Sequence, residues 1–218
     1  MKLLSPAAAR QVEAEHYGPG EYDDFKRWTS YWHQIQTIRR CRPRTVLEVG
    51  VGSGVLTWYM RQKLKLDVTT VDIDPALQPD IVGDLRELRS RVAPGSFDLV
   101  CAFQVLEHLP FDQFEPALAE LAVASREHVV ITLPNNGRTF QLRVDVWRLR
   151  LAFGRKLGWR RHWKFDGQHH WELGTVGHSA REVRRRISQV LQLESETIYP
   201  DNPYHREYVG RRKVPRSA

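Results

Sequence analysis

The stretch TVLEVGVGSG, residues 45–54, constrains the fold of this chain more than any other segment. Its apolar, β-branched start suits a buried strand. Glycines then alternate with small residues at Gly50, Gly52 and Gly54, which allows a tight turn and lets a ligand lie against bare backbone. Because the following LTWYMRQKL has helical composition, the segment predicts a strand, a glycine-rich turn and a helix, as in nucleotide-type sites. The spacing is G-x-G-x-G with Glu48 ahead of it, and it differs from the G-x-G-x-x-G of dinucleotide-binding folds.

Three later segments continue the strand pattern. Residues 67–73, DVTTVDI, predict a second strand ending near Asp72, where such folds place a carboxylate that accepts hydrogen bonds from ribose hydroxyls. The segment IVGDL places Asp84 at the tip of a third strand. The segment SFDLVCAFQVLEHLP predicts a fourth strand that ends at Phe103 and Gln104.

Four motifs in this order and spacing resemble those of class I S-adenosylmethionine (SAM)-dependent methyltransferases of the small-molecule type. The resemblance covers residues 44–134 closely and the remainder loosely. It implies that SAM is the cofactor, that Asp84 bonds the adenine amino group, and that the stretch after the fourth strand follows the edge of the cofactor. The residues expected to bind the cofactor are Glu48, Gly50, Gly52, Gly54, Asp72, Ile73, Asp84, Leu85, Phe103, Gln104, Val105 and His108.

The alternation of strands and helices predicts an α/β fold with right-handed crossovers. With the resemblance, it implies a Rossmann-like, seven-stranded, mostly parallel sheet that has helices on both faces and an antiparallel last strand. The chain, 1–218, is expected to form a single methyltransferase domain. Its expected parts are an N-terminal helical cap, a SAM-binding core, a helical substrate-side insert after strand five, and a C-terminal helix with closing strands: 1–42, 43–136, 137–178 and 179–218.

The polar segment FDGQHHWELG contains the candidate catalytic residues His169, His170 and Glu172. A histidine near a carboxylate that can orient its ring is a recognisable acid–base pair. The alternative is that this segment closes over the sheet as a lid and that its histidines cap backbone groups. The residues after Phe103 do not form an oxygen-rich cage, so no metal is expected.

The chain is basic, with a net charge of +7 and a pI near 9.6, and its basic residues concentrate between Arg138 and Lys164. Such a region can attract an anionic substrate, nucleic acid or an anionic membrane surface, or it can be a solvated helix face. The two cysteines, Cys41 and Cys101, exclude a disulfide framework and favour a reducing, cytoplasmic compartment. No apolar run is long enough to predict a transmembrane segment.

The sequence therefore predicts a SAM-dependent methyltransferase that acts on an oxygen or nitrogen of a small-molecule, lipid-like or glycan acceptor. An RNA or protein methyltransferase that uses the basic surface remains an alternative, although the base-methylating motif Asp/Asn-Pro-Pro-aromatic is not found after the fourth strand. A non-catalytic SAM-binding module is a second alternative. A nucleotide-binding oxidoreductase is disfavoured by the glycine spacing. The sequence does not indicate the oligomeric state.

Overall fold

The computed structural model describes Tyr17, Tyr22 and residues 24–147, 149–157 and 161–213. Seven strands form one sheet, in the order β3-β2-β1-β4-β5-β9-β8. These strands are β1 Thr45–Val49, β2 Asp67–Asp72, β3 Ile81–Val82, β4 Phe97–Phe103, β5 Ser125–Pro134, β8 Leu191–Tyr199 and β9 Asn202–Arg212. Strands β1 to β5 pair in parallel, and β9 is antiparallel to both β5 and β8. The predicted seven-stranded, mostly parallel sheet is confirmed.

Four α-helices of the described part of the chain cover the sheet: α1 Phe25–Cys41, α2 Val55–Gln62, α3 Phe114–Ala124 and α4 Ala180–Val190. The alternation of side chains along β1 explains why both faces need cover. Val46 packs in a cluster with Ile38 of α1 and Met60 of α2, whereas Leu47 packs in a second cluster with Leu121 of α3. Helix α4 joins that second cluster through Val183 and Ile187. The prediction of helices on both faces is therefore confirmed.

The strand order determines where a ligand can bind. Strand β1 pairs with β2 on one side and with β4 on the other, so the chain crosses over in opposite directions on either side of it. In open α/β sheets, a crevice opens at such a switch point, outside the carboxyl ends of the strands. The loops after β1, β2 and β4 therefore meet at one edge of the sheet, which is the edge where the candidate cofactor residues lie.

The insert after β5 differs from the prediction. Instead of a helix, it forms an antiparallel hairpin of β6 Arg138–Val146 and β7 Leu149–Leu157, which is a separate two-stranded sheet. The apolar residues at Phe140, Leu142, Val144 and Val146 recur at every second position, and this spacing matches the period of a strand. The helical prediction was wrong because it followed the Arg- and Leu-rich composition and not this period.

The N-terminal cap is described only in part. Helix α1 ends at Cys41, shortly before Pro43, while the segment that precedes it lies largely outside the described residues. The side chain of Trp32 in this helix is 58% exposed. Tyr31 is buried instead, and its hydroxyl lies 2.8 Å from the Ser53 Oγ in the glycine loop. In the part of the chain that the structure describes, no helix has the length and apolarity that a membrane crossing needs.

Candidate functional site

The glycine loop after β1 is held against β2 by its own backbone. Gly50 donates its N–H to the carbonyl of Val71 at 2.8 Å, and its φ of +85° lies in the left-handed region. A Cβ at Gly50 would collide with the Cγ2 of Val105, in the loop after β4. Gly52 has φ of +55°, and a Cβ there would lie 3.6 Å from the Tyr22 hydroxyl. The position of Gly50 therefore favours glycine because of both backbone conformation and close approach, and that of Gly52 because of backbone conformation.

Asp72, at the end of β2, completes this loop. One carboxylate oxygen, Oδ2, accepts the Val51 N–H at 2.8 Å, and the other, Oδ1, accepts the Asp74 N–H at 2.9 Å. Burial raises the pKa of Asp72, although these backbone donors oppose the shift. Each oxygen retains a second lone pair, so Asp72 can still accept hydrogen bonds from a pair of neighbouring hydroxyls.

A cavity of about 360 Å³ opens beside this loop, which is a size typical of small-ligand sites. Nine of the residues predicted to bind the cofactor line it: Gly50, Gly52, Asp72, Ile73, Asp84, Leu85, Phe103, Gln104 and Val105. His108, which is also among the residues predicted to bind the cofactor, lines the cavity as well, and so does the catalytic candidate His169. The sequence motifs therefore converge on one space.

Two predicted cofactor residues do not line the cavity. Glu48 is buried behind the loop, where it accepts a hydrogen bond from the Thr57 hydroxyl at 2.5 Å and so ties β1 to α2. Burial raises the pKa of Glu48 to about 7. Gly54 immediately precedes α2 with φ of +73°, and a Cβ there would meet no atom within 4 Å. Both residues shape the loop from outside the cavity.

Asp84 lines the cavity but already has a partner. Its carboxylate forms a two-pronged ion pair with the Arg86 guanidinium and accepts the Arg86 backbone N–H at 2.8 Å. Although burial alone would raise the pKa of Asp84, the hydrogen bonds from Arg86 hold it below its usual range. The predicted bond from Asp84 to an adenine amino group would therefore share this carboxylate with Arg86.

The segment with the catalytic candidates is anchored by Trp171. This indole is fully buried, packs edge-on against Phe111 and Phe114, and donates its N–H to the carbonyl of Leu109 at 3.1 Å. Leu173 then donates its backbone N–H to the carbonyl of Pro134 at 3.0 Å. Because core contacts fix the segment on both sides of Glu172, that carboxylate has a defined position.

His169 and Glu172 form a hydrogen-bonded pair at the cavity wall. The Nδ1 of His169 lies 2.9 Å from the Oε1 of Glu172, which also accepts the Tyr204 hydroxyl at 2.7 Å, while Oε2 accepts the Asn136 amide at 2.7 Å. Burial alone would lower the pKa of His169, but the bond to Glu172 and the charge of nearby Glu107 outweigh it and raise this pKa. Burial alone would raise the pKa of Glu172, but the hydrogen bonds from its three donors outweigh burial and lower this pKa. Since Nδ1 faces Glu172, Nε2 is the ring nitrogen available to a ligand.

Two further groups lie next to His169. Burial lowers the pKa of His108 to about 4, so its ring is neutral near pH 7, and its Nδ1 lies 3.0 Å from the carbonyl of Gln168, which requires the proton on Nδ1. Glu107 is fully buried, its Oε2 has no hydrogen-bond partner, and burial raises its pKa to about 7. When the Gln104 amide is oriented so that both its nitrogen and its oxygen have hydrogen-bond partners, its nitrogen lies 3.2 Å from Glu107 Oε1.

His170 is placed differently from His169. It does not line the cavity; its ring lies against Phe165, and its backbone N–H donates to the carbonyl of Glu107 at 2.9 Å. Glu172 also stands behind the cavity wall, where it bonds two residues that line the cavity, His169 and Tyr204. The catalytic roles of His169, His170 and Glu172 stay predictions, and the geometry favours His169 for direct contact with a ligand.

Sequence reasoning missed several lining residues. Tyr204 and His205, at the start of β9, and Arg27 of α1 all face the cavity. His205 is neutral near pH 7 because burial lowers its pKa to about 3, and its Nδ1 lies 2.8 Å from the Ser30 hydroxyl. No local motif marks these residues, since only the pairing of β9 with β5 brings them to the site.

Glu107, His108 and His169 each offer one ligand atom within 4.8 Å of the others, and among the described residues this group could hold a metal ion. One carboxylate oxygen with two imidazole nitrogens is a donor set that suits Zn²⁺ or other transition metals. The sequence-based expectation of no metal remains a prediction.

A family model described as "Methyltransferase domain" matches residues 21–175, which is most of the chain and includes β1 to β5 and the segment with His169. The chain belongs to this methyltransferase-domain family. The resemblance to class I SAM-dependent methyltransferases is therefore confirmed, and SAM is the cofactor of this domain. Within the family's site, the backbone of Gly50 and Gly52 at the cavity wall, the acceptor oxygens of Asp72 and the size of the cavity all fit SAM.

Solved structures of other methyltransferases share the fold. The 1,6-didemethyltoxoflavin-N1-methyltransferase of Burkholderia thailandensis, crystallised with S-adenosylhomocysteine, superimposes with a TM-score of 0.59 at 16% identity, covering 88% of this chain and 80% of that one. The N-methyltransferase NodS of Bradyrhizobium japonicum gives 0.56 at 13% identity, covering 88% and 90%. The magnesium protoporphyrin IX methyltransferase of Synechocystis gives 0.57 at 14% identity, covering 90% and 91%.

A sequence match with a curated protein is shorter. The ubiquinone biosynthesis O-methyltransferase of Pseudomonas paraeruginosa is 37% identical in an alignment of 82 residues that covers 31% of this chain and 34% of that protein. The matched segment thus spans about a third of the relative's length.

Proposed function

We propose that this protein transfers the methyl group of SAM to a hydroxyl oxygen of a small-molecule acceptor, with His169 as the general base. The observation that carries the proposal is the His169–Glu172 pair at the cavity wall. A histidine whose Nδ1 is fixed by a carboxylate presents Nε2 in a defined direction and gains basicity, as a base toward an oxygen acid requires.

When bound, SAM would supply an electrophilic methyl group on a sulfonium, with S-adenosylhomocysteine as the leaving group of an in-line displacement. The acceptor O–H loses its proton to His169 Nε2 while the oxygen forms the new bond to carbon. Glu172 stabilises the resulting imidazolium through the bond to Nδ1, and Tyr204 and Asn136 hold Glu172 in place. Asp72 and the glycine loop fix the cofactor, so that alignment supplies much of the remaining rate.

Oxygen is favoured over nitrogen by the same pair. An uncharged amine can attack the methyl group without prior loss of a proton, and it therefore gains less from a half-buried, oriented base than a hydroxyl does. The partial match to an O-methyltransferase agrees with this choice. Two of the fold relatives carry N-methyltransferase names, so an amine acceptor is the direct competitor.

The experiment compares His169→Ala with His170→Ala, a matched pair of adjacent histidines of which one lines the cavity. Methyl transfer from labelled SAM is first measured with a panel of hydroxylated and amine acceptors, both lipid-like and water-soluble. On the best acceptor, His169→Ala should lower the single-turnover rate about 100-fold or more while SAM affinity by calorimetry stays near wild type. His170→Ala should change the rate little.

Other outcomes would reject this function. Equal losses in both variants, or losses confined to acceptor affinity, would indicate a lid and not a base. Transfer to amines with full activity in His169→Ala would make the protein an N-methyltransferase. Tight SAM binding without transfer to any acceptor would indicate a binding module, and transfer to RNA alone would indicate a nucleic-acid methyltransferase.

A further inference from the structure

The β6–β7 hairpin has one face that is apolar and open to solvent. Leu142 lies opposite Phe153 and Val144 lies opposite Leu151, and in an antiparallel pair directly opposed residues share a face. Six apolar side chains on this face are exposed by between 37% and 59%: Phe140, Leu142, Val144, Val146, Leu151 and Phe153. We call this set the apolar hairpin face. Contiguous exposed apolar surface of this kind marks a site of interaction with another molecule.

The tip of the hairpin is equally unusual. Trp147 is 97% exposed and adopts φ of +46°, a conformation for which two-residue hairpin turns favour asparagine or glycine. Turn formation therefore gives no reason for tryptophan here. Tryptophan is, however, the residue most typical of membrane–water interfaces, because its ring is both apolar and able to donate a hydrogen bond.

Charge identifies the partner. Residues 138–164, which include the hairpin, contain nine lysines and arginines and one acidic residue, Asp145. This segment alone exceeds the net charge of +7 of the whole chain, so the positive charge of the protein is concentrated in the stretch of sequence that forms and follows the hairpin. Exposed apolar side chains within a strongly basic stretch of sequence fit the surface of a bilayer that contains anionic lipids.

The hairpin also needs a partner for its own stability. It forms a sheet separate from the seven-stranded one, and a two-stranded hairpin alone in water is marginally stable at best. Insertion of the apolar face into the interfacial region of a bilayer would remove that surface from water without requiring a helix that crosses the membrane.

The two ends of the hairpin lie close in sequence to residues that contact the His169–Glu172 pair. Strand β6 begins shortly after Asn136, which bonds Glu172, and the chain beyond β7 contains Trp163, which donates its indole N–H to the carbonyl of His169 at 3.0 Å. A bilayer bound at the apolar hairpin face would therefore adjoin the segment that holds His169.

We propose that the β6–β7 hairpin docks the protein onto anionic membrane surfaces, with Trp147 and the apolar hairpin face inserted among the lipid headgroups. The proposal goes beyond the methyl-transfer reaction and does not depend on it.

The experiment is vesicle flotation of the full chain with phosphatidylcholine vesicles and with vesicles that also contain phosphatidylglycerol. Wild-type protein should float with the anionic vesicles, and binding should weaken when salt is added, because basic residues contribute. Trp147→Asn should weaken binding about tenfold, while asparagine suits the turn and keeps the hairpin formed. The matched control is Trp58→Gln, which removes a tryptophan of α2 that is 54% exposed and remote in sequence from the hairpin.

A second variant, Phe153→Ser, tests the face independently of the tip and should weaken binding in the same direction. SAM affinity measured on each variant establishes that the cofactor site is intact. The proposal is overturned if the wild type does not bind anionic vesicles, or if Trp58→Gln and Trp147→Asn weaken binding equally. It is also overturned if sedimentation shows a dimer that Phe153→Ser dissociates and that does not bind vesicles, or if the chain binds RNA but no vesicles.

Discussion

The two ends of the cavity are built in different ways. At the end proposed for SAM, the loop after β1 and the carboxylate after β2 lie on adjacent parallel strands and are joined through backbone N–H groups, and each part is marked by a short sequence motif. At the end proposed for the acceptor, the His169–Glu172 pair, Tyr204 and Asn136 come from three separate parts of the chain and meet through side chains. The cofactor end is therefore built from backbone contacts between neighbouring strands, and the acceptor end from side chains that only the tertiary fold brings together.

The strongest perturbation of the SAM end should come from Gly50→Ala. Alanine at this position must adopt a left-handed backbone conformation, which costs about 1–2 kcal/mol. It also collides with Val105, which adds about 1–3 kcal/mol. The sum of these two costs should appear as a loss of SAM affinity, measured by calorimetry, together with a loss of folding stability, measured by thermal melts. Gly95→Ala is the control, since Gly95 has φ of +63° with nothing within 4 Å, and it should lower stability alone. Unchanged SAM affinity and stability in Gly50→Ala would contradict the role of this loop.

Asp72→Asn should weaken SAM binding by about 1.5–3 kcal/mol, the range for hydrogen bonds to a charged acceptor. The amide keeps the shape of the side chain but accepts through one oxygen only, so it cannot both hold the loop and receive two hydroxyls. Isothermal titration measures the change. Asp67→Asn, at the exposed start of the same strand, should leave the affinity as it is. Equal affinities in the two variants would remove Asp72 from the cofactor site.

At the acceptor end, Glu172→Gln should reduce turnover about tenfold or more and leave SAM affinity intact, because the base loses the charge that supports its imidazolium. Tyr204→Phe is the graded control. It removes one of the donors to Glu172 but keeps the charge, so its effect on turnover should be smaller. If Tyr204→Phe reduced turnover more than Glu172→Gln, the hydroxyl of Tyr204 and not the carboxylate would be the important group.

The smallest expected effect concerns metals. If His169 acts as the base without a bound metal ion, prior treatment with EDTA should leave the rate of methyl transfer unchanged. Glu107, His108 and His169 are close enough to hold an ion, so the measurement has a defined alternative. Loss of activity on chelation, with recovery on addition of Zn²⁺ or Mg²⁺, would assign these three residues to a metal centre.

The same contrast explains what could be predicted from the sequence. The strands, the glycine turn and Asp72 were predictable because glycine spacing and apolar runs act over a few residues, and most predicted cofactor residues do line the cavity. Tyr204 could not be found, since only the antiparallel pairing of β9 brings it to Glu172. The hairpin was predictable in principle from the alternation at Phe140, Leu142 and Val144, but the basic composition pointed to a helix.

The most direct test of the central claim is the pH dependence of the single-turnover methyl-transfer rate in wild type and Glu172→Gln. His169 acts as a base only when neutral, so the rate should rise with pH, and the raised pKa of His169 places this rise above its ordinary value of 6.5. His169 lies beside Glu107, His108 and Asp166, so the apparent pKa of the rate profile belongs to this coupled group. The informative quantity is therefore the difference in apparent pKa between wild type and Glu172→Gln. Without the Glu172 charge the pKa of His169 falls, so the rise should move to lower pH while the plateau rate drops. A rise at the same pH in both proteins would contradict the assignment of His169, oriented by Glu172, as the base.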